Sequence, residues 1–351
     1  MRQGSMTRAR RRRRGVFAVV GAAIMVAGLT AACGSDQGAA SAPGLTTVTF
    51  GMDYLPGPAH NGLAYGIQHG LFKKRGIEVK LIPYTEAPPD TLIAAGKADL
   101  GLNWGATRAL ADFAQGMPVT AVFALYQHQP GLLAVLADST ISRPADLAGK
   151  KLGTFGDPID PATADTMITT DGGTGTVQPV VVGSSIYHAL SSRKIDAALI
   201  YASDIYEFEE TSGKIRTWDP VKFGVPDSYG NLMLANNTFL AKKPQVAKDF
   251  LAAFTEGYEK SLTDRQLTND DLVKQFPGQI DRKMVDYVTK IQSDGLFVDP
   301  DGGVGTQDLA RWRETLTFMK EHDLLVDSNG KKLDSNLDLA KFVTDDYLPG
   351  R

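Results

Sequence analysis

From Thr47 to Ala235, short apolar, β-branched runs alternate with helical patterns, and this alternation narrows the fold more than any other feature of the 351-residue chain. Strand-like runs fall at 47–52, 78–84, 100–104, 119–125, 132–137, 151–155, 177–182, 197–201 and 231–235. Between most of them lie helical stretches at 61–69, 91–97, 107–115, 145–149, 162–170, 185–193 and 205–211. Strands alternating with helices build βαβ units, so the pattern predicts an α/β fold with mainly parallel sheets. Beyond Asn236 the period becomes helical, with helices expected at 245–262, 270–275, 282–293 and 306–322. Two α/β lobes account for this order, the second inserted into the first, with a helical C-terminal third returning over the first lobe. Crossings near Tyr126 and Asn236 assign 47–126 plus 236–351 to lobe 1 and 127–235 to lobe 2.

The first 46 residues stand outside that pattern. Seven arginines (Arg2, Arg8 and Arg10 to Arg14) precede a 17-residue apolar run ending at Ala32, and no acidic residue or lysine occurs before Cys33. This is the layout of an export signal over 1–32, too short for a spanning helix, which needs roughly 20 apolar residues. Cys33 is the only cysteine, and Thr30-Ala31-Ala32 before it resembles a bacterial lipobox. The expectation is a lipidated Cys33 that anchors the protein on the extracytoplasmic face of the cell membrane, with 33–46 as a flexible linker. Removing the seven leader arginines from 37 basic residues leaves 30 against 40 acidic ones. A net charge of about −10 excludes a basic nucleic-acid surface.

In α/β lobes, ligands bind beyond the carboxyl ends of the strands. Applied here, that rule selects Asp53, Tyr54, Pro58, His60 and Asn61 after the first strand, and Trp104 and Gly105 after the third. It also selects Gly156, Asp157 and Pro158 after the sixth strand and Tyr201 at the end of the eighth. Aromatic rings with carboxylate and glycine at one rim suit a flat heteroaromatic ligand, stacked on its faces and hydrogen-bonded at its edge. The reading sets Tyr54 opposite Trp104 across the ligand, makes His60 an edge contact, and leaves helix capping open for His60, Asn61 and Asp157. The five histidines have no His-x-His or His-x3-His spacing, so no metal site is expected. Gly153-Thr154-Phe155-Gly156 lacks the Gly-Lys-Ser/Thr ending of a phosphate-cradling loop. Arg108, one turn into a helix, is the only cation near the rim, which argues against an anionic ligand.

The run MDYLPGPAHNGLAYGIQHGLFKKRGIEVKL is similar to the opening of the thiamine-pyrimidine family. AAGKADLGLNW, GMPVTAV, ISRPADLAGKKLGTFG, KIDAALIY and the closing FVTDDYLPG resemble its later landmarks, from about Val48 to Pro349. The resemblance implies a two-lobed periplasmic binding protein type II fold. It also implies a substrate-binding lipoprotein of an ABC importer for a thiamine pyrimidine precursor, monomeric and without a cofactor, partnered by permease subunits. Relatives on the same fold bind sulfonates, nitrate or riboflavin, and the glycine and lysine motifs are shared with them. The family also holds fungal pyrimidine synthases with pyridoxal phosphate, a histidine in the position of His60 and a cysteine-rich run before the last α/β strand. This chain has Ser228-Tyr229-Gly230-Asn231-Leu232-Met233 at that run, so the expectation is a binder and not an enzyme.

Overall fold

A computed structural model of the chain describes residues 44–84, 89–201, 204–211, 213–295, 304–327 and 329–350. The expected leader, Cys33 and the linker as far as residue 43 lie outside these residues. Among the described residues, no helix is long and apolar enough to cross a membrane.

The chain first lays down β1 (Thr46–Gly51), α1 (Asn61–Gln68), β2 (Ile77–Ile82), α2 (Pro89–Ala94), β3 (Leu100–Asn103), α3 (Ala106–Ala114) and β4 (Val119–Ala124). It then crosses and forms β5 (Gly131–Leu136), β6 (Lys151–Thr154), α4 (Ile159–Thr170), β7 (Gln178–Val181), α5 (Ile186–Ser191), β8 (Ala197–Tyr201), α6 (Asp204–Thr211) and β9 (Ile215–Trp218). It returns as β10 (Leu232–Asn236) and finishes in α7 (Asn237–Lys242), α8 (Pro244–Thr263), α9 (Arg265–Gln275), α10 (Arg282–Gly295) and α11 (Leu309–Glu321). Two five-stranded sheets result, in the orders β2-β1-β3-β10-β4 and β7-β6-β8-β5-β9. The α/β reading holds, but four details differ from expectation.

The sheets are mixed instead of mainly parallel. β1 is parallel to β2 and β3, and β6 to β7 and β8, whereas β10 is antiparallel to β3 and β4, and β5 to β8 and β9. A strand reached directly from a crossing starts at the end where β1, β3, β6 and β8 finish, so it must run against them. β10 itself belongs to the first sheet, so the return crossing precedes Leu232 and does not fall at Asn236. Two elements were missed. β9 is a four-residue edge strand interrupted by Arg216, and α7 is a six-residue helix whose Asn236 N-cap accepts from Thr238 and Phe239 amides. The expected helix at 145–149 is a 3-10 turn at Pro144–Leu147.

The two crossings run side by side. The Leu125 and Tyr126 amides donate to the Asn231 carbonyl at 2.9 and 3.1 Å, and the Gly230 amide donates to Tyr126 at 3.0 Å. His128 Nδ1 meets Asp227 Oδ2 at 2.5 Å, and the Gln129 amide donates to the other carboxylate oxygen at 3.3 Å. The closing FVTDDYLPG covers the outer edge of β4: the Ala121 amide donates to the Phe342 carbonyl, and the Thr344 amide returns to Ala121. That pairing removes an open edge on which another chain could add a strand.

The rim loop after β1 is carried by helix packing. In α8, Ala247, Phe250, Leu251, Phe254 and Tyr258 recur at helical spacing and are buried. Phe250 stacks on Phe50 of β1 at 5.8 Å, Phe254 lies tilted against the same ring at 6.1 Å, and Phe254 meets Phe123 of β4 edge-on at 5.1 Å. α1 crosses α8 where Gly62 faces Gly257, so close that a Cβ on Gly257 would sit 2.2 Å from the Gly62 carbonyl oxygen. Backbone cannot yield as a flexible side chain can. Gly257→Ala should therefore lower stability by about 1–3 kcal/mol, seen as a reduced urea midpoint with an unchanged slope.

Candidate functional site

The carboxyl ends of β1 and β3 face those of β6 and β8 across a cleft whose floor is the paired crossings. A cavity of about 160 Å3 lies there. Trp104 and Gly105 border it from the first lobe, Phe155, Asp160 and Tyr201 from the second, and Gln129 and Tyr229 from the crossings. Trp104, Phe155 and Tyr201 are exposed aromatics, an unfavourable state for large rings that a stacked ligand would relieve.

The structure thus brings three sequence-selected residues, Trp104, Gly105 and Tyr201, to one cavity. Gly105 has φ of +113°, and a Cβ there would lie 3.0 Å from the Gly230 carbonyl, so the turn from β3 into α3 requires glycine. Asp53 lies just behind the lining. Its Oδ1 accepts from His60 Nε2 at 2.9 Å, its Oδ2 accepts from Asn231 Nδ2 at 2.5 Å, and its carbonyl accepts from Trp104 Nε1 at 2.9 Å. One residue therefore ties the loop after β1 to the loop after β3 and to the return crossing.

His60 is 2% exposed. Its Nδ1 accepts from the Gly57 amide at 3.2 Å, which leaves the proton on Nε2 for Asp53. It sits at the N-cap of α1 without a side-chain capping bond, so its ring serves Asp53 and not the helix. Pro58 opens the 3-10 turn Pro58–His60, and Asn61 begins α1 as a buried residue whose Oδ1 has no hydrogen-bond partner among the described residues. None of these three borders the cavity.

Tyr54 is placed differently from the sequence reading. β1 and β2 are parallel, with Gly51 beside Ile82, so Tyr84 emerges next to Tyr54; the ring centroids are 5.1 Å apart and tilted by 49°. Phe155, which the sequence reading left inside a strand, borders the cavity, whereas Tyr54 does not. Gly156, Asp157 and Pro158 are exposed at the entry to α4, and Asp157 Oδ1 accepts from the Ile159 amide at 3.0 Å, a turn-capping role. The residues sequence reasoning missed, Phe155, Asp160, Gln129 and Tyr229 among them, lie one to three positions from a selected residue or on a crossing. A two-lobed chain necessarily floors its cleft with its crossings, and that signal was available.

The charge of the cleft is one-sided. Among the described residues, no arginine, lysine or histidine borders the cavity. Burial, then repulsion from Asp157, pushes the Asp160 carboxyl up to about 7, against one backbone hydrogen bond from Phe155. Partial desolvation of the hydroxyl at the cleft wall, then the carboxylates of Asp160, Asp204, Asp157 and Asp53, raises the Tyr201 phenol, which stays protonated although its ring is exposed. Arg108, the one nearby cation, is neutralised: its Nη2 and Nε lie 2.6 and 2.8 Å from Asp90 Oδ2, and its Nε lies 3.2 Å from Asp112.

Two predictions follow from these buried groups. Burial and the neighbouring Asp90 push Asp112 from 3.8 up to about 9. The folded state then holds a proton that the unfolded chain releases, so stability is greatest below the ordinary carboxylate range and falls as pH rises toward that value. Asp112→Asn should flatten the dependence of the unfolding midpoint between about pH 5 and about pH 9, and match or exceed wild type at the alkaline end. His60→Ala should lower stability by about 1–3 kcal/mol in urea unfolding, because the buried Asp53 carboxylate loses a donor.

Comparison with known proteins places this geometry. The family described as NMT1/THI5 like matches residues 57–266. The chain is 26% identical over 297 residues to a formylaminopyrimidine-binding protein of Halalkalibacterium halodurans, covering 80% of this chain and 87% of that one. It is 27% identical over 258 residues to a 4-amino-5-hydroxymethyl-2-methylpyrimidine phosphate synthase of Saccharomyces cerevisiae, covering 65% and 74%. The structure matches the periplasmic aliphatic sulphonate binding protein of Escherichia coli with a TM-score of 0.66 at 17% identity, over 86% of this chain and 92% of that one. The fold is that of the periplasmic binding proteins.

Proposed function

The chain belongs to the NMT1/THI5-like family, and on that footing we propose that it is the solute-binding protein of an ABC-type importer, capturing a thiamine pyrimidine precursor of the formylaminopyrimidine kind. The observation that carries this reading is the cavity itself, a space between two lobes walled by aromatic rings from both and, among the described residues, bordered by no cation. Cavities of about 150 Å3 accommodate a benzene ring, so the space suits one aromatic ring and is small for a three-ring flavin. A sulfonate or nitrate would meet Asp160 there and no positive side chain.

Capture proceeds without bond making. The ring lands on Trp104, whose indole is fixed by Asp53, and the second lobe brings Phe155 and Tyr201 over it by bending at the paired crossings. Closure buries the ligand and presents one joined surface to membrane permease subunits. Lipidation at Cys33 would hold the protein, as a monomer, at the extracytoplasmic membrane face where those subunits lie. The synthase relatives support an enzymatic reading, but His60 has both ring nitrogens committed to protein partners, which favours binding over chemistry.

Isothermal titration and thermal-shift assays of the purified protein test the reading. Formylaminopyrimidine or its aminomethyl relative should stabilise the protein by about 3 kcal/mol at a hundredfold excess over Kd. Trp104→Ala should weaken binding by about 10-fold or more while leaving the unfolding midpoint nearly unchanged. A response confined to taurine, nitrate or riboflavin overturns the assignment.

A further inference from the structure

Four carboxylates surround the cleft, and three are already engaged by the scaffold. Asp53 is held by His60 and Asn231, Asp157 accepts the Ile159 amide, and Asp204 accepts the Tyr201 amide at 2.8 Å. Asp160 is different. It stands in the first turn of α4, borders the cavity with Thr163 one turn further on, and makes no ion pair among the described residues. The Phe155 amide occupies one acceptor position of the carboxyl group, leaving others for a ligand.

Building on the pyrimidine reading of this cavity, we propose that Asp160 is the specificity-determining residue. Its carboxyl group takes the edge of a heteroaromatic ring that carries an amino group beside a ring nitrogen, while Trp104, Phe155 and Tyr201 hold the faces. Such an edge offers an N–H donor next to an acceptor. A neutral carboxyl group matches it by donating its O–H to the ring nitrogen and accepting the amino N–H; a carboxylate matches the protonated ring by accepting both. One proton is shared in either state. The carboxyl group poised near 7 and a weakly basic aminopyrimidine are therefore suited to each other. Asp157 on its own loop acts on Asp160, and Asp160 with Asp204 and Asp53 acts on Tyr201 of β8; the cation on this side, Arg108, acts on Asp157 and is itself held by Asp90 and Asp112.

The test is calorimetric titration of the full protein with 4-amino-2-methylpyrimidine and with 2-methylpyrimidine, which lacks the amino group. Wild type should favour the amino compound by about 10–100-fold. Asp160→Ala should abolish that preference while holding 2-methylpyrimidine within about 3-fold of wild type. Asp160→Asn, whose amide reproduces the donor and acceptor of the neutral acid, should retain part of the preference, and matched unfolding midpoints show that both variants fold. A preference unchanged in Asp160→Ala, or an equal loss for both compounds, overturns the role of Asp160 and leaves the pyrimidine reading standing. If neither pyrimidine binds wild type but 2-aminopyridine or adenine does, with loss in Asp160→Ala, the pyrimidine reading falls and Asp160 keeps its role. Binding of no amino-bearing ring overturns both.

Discussion

The Asp53 carboxylate is the constraint on which the site depends. It is 4% exposed, and a carboxylate so enclosed is tolerated only where donors surround it. Here the donors come from separate parts of the chain, His60 at the head of α1 and Asn231 on the return crossing. The Asp53 backbone meanwhile receives the Trp104 indole, so the ring that forms the cleft wall is oriented by the residue that joins the loops. Binding sites are most effective when the groups touching ligand are themselves locked by a supporting layer, and Asp53 with His60 forms that layer for Trp104.

That support reaches further into the first lobe. His60 is positioned by a stiff turn opened by Pro58, and the Ala59 carbonyl in that turn accepts from the Tyr258 hydroxyl of α8. α8 is in turn seated on the sheet by Phe250 and Phe254 and on α1 by the facing pair Gly62 and Gly257. The helical C-terminal third thus does more than cover a sheet: it fixes the angle of the rim loop. α10 also reaches the second lobe, where Tyr287 lies 5.4 Å from Tyr206 of α6, and Arg311 of α11 sits 4.8 Å over the Tyr229 ring on the return crossing.

Those dependencies explain which parts were legible in the sequence. Strand and helix order could be read because burial imposes a local period, as in Val48 and Phe50 of β1 or Phe250 and Phe254 of α8. Strand direction could not, since the reversed sense of β5 and β10 follows from where a crossing delivers the chain and not from their residues. Of the residues bordering the cavity, Trp104, Gly105 and Tyr201 were accessible because a rule about strand ends applies one residue at a time. His60 was drawn toward the ligand by its chemistry, whereas its orientation depends on the Gly57 amide three residues away and on Asp53. Tyr54 and Phe155 were confused because their environment is set by a neighbouring strand, Tyr84 drawing one aside and the turn at Gly156 leaving the other exposed.

A fold shared with a protein named for sulphonate binding does not by itself set the charge of the ligand. A cleft between two lobes fixes where a ligand sits, because strand ends and crossings meet there whatever the residues. What it admits is decided by the few polar groups that face inward. In this chain the nearby arginine is held by Asp90 and Asp112, and among the described residues the lining carries one acidic group, Asp160, and no cation. Field lines in a cleft with apolar walls are concentrated, so even one unpaired carboxyl group there repels an anion and attracts a ring carrying amino hydrogens. Under the proposed reading, selectivity rests on which carboxyl groups the scaffold has already engaged, Asp53, Asp157 and Asp204, and on Asp160, which it has not.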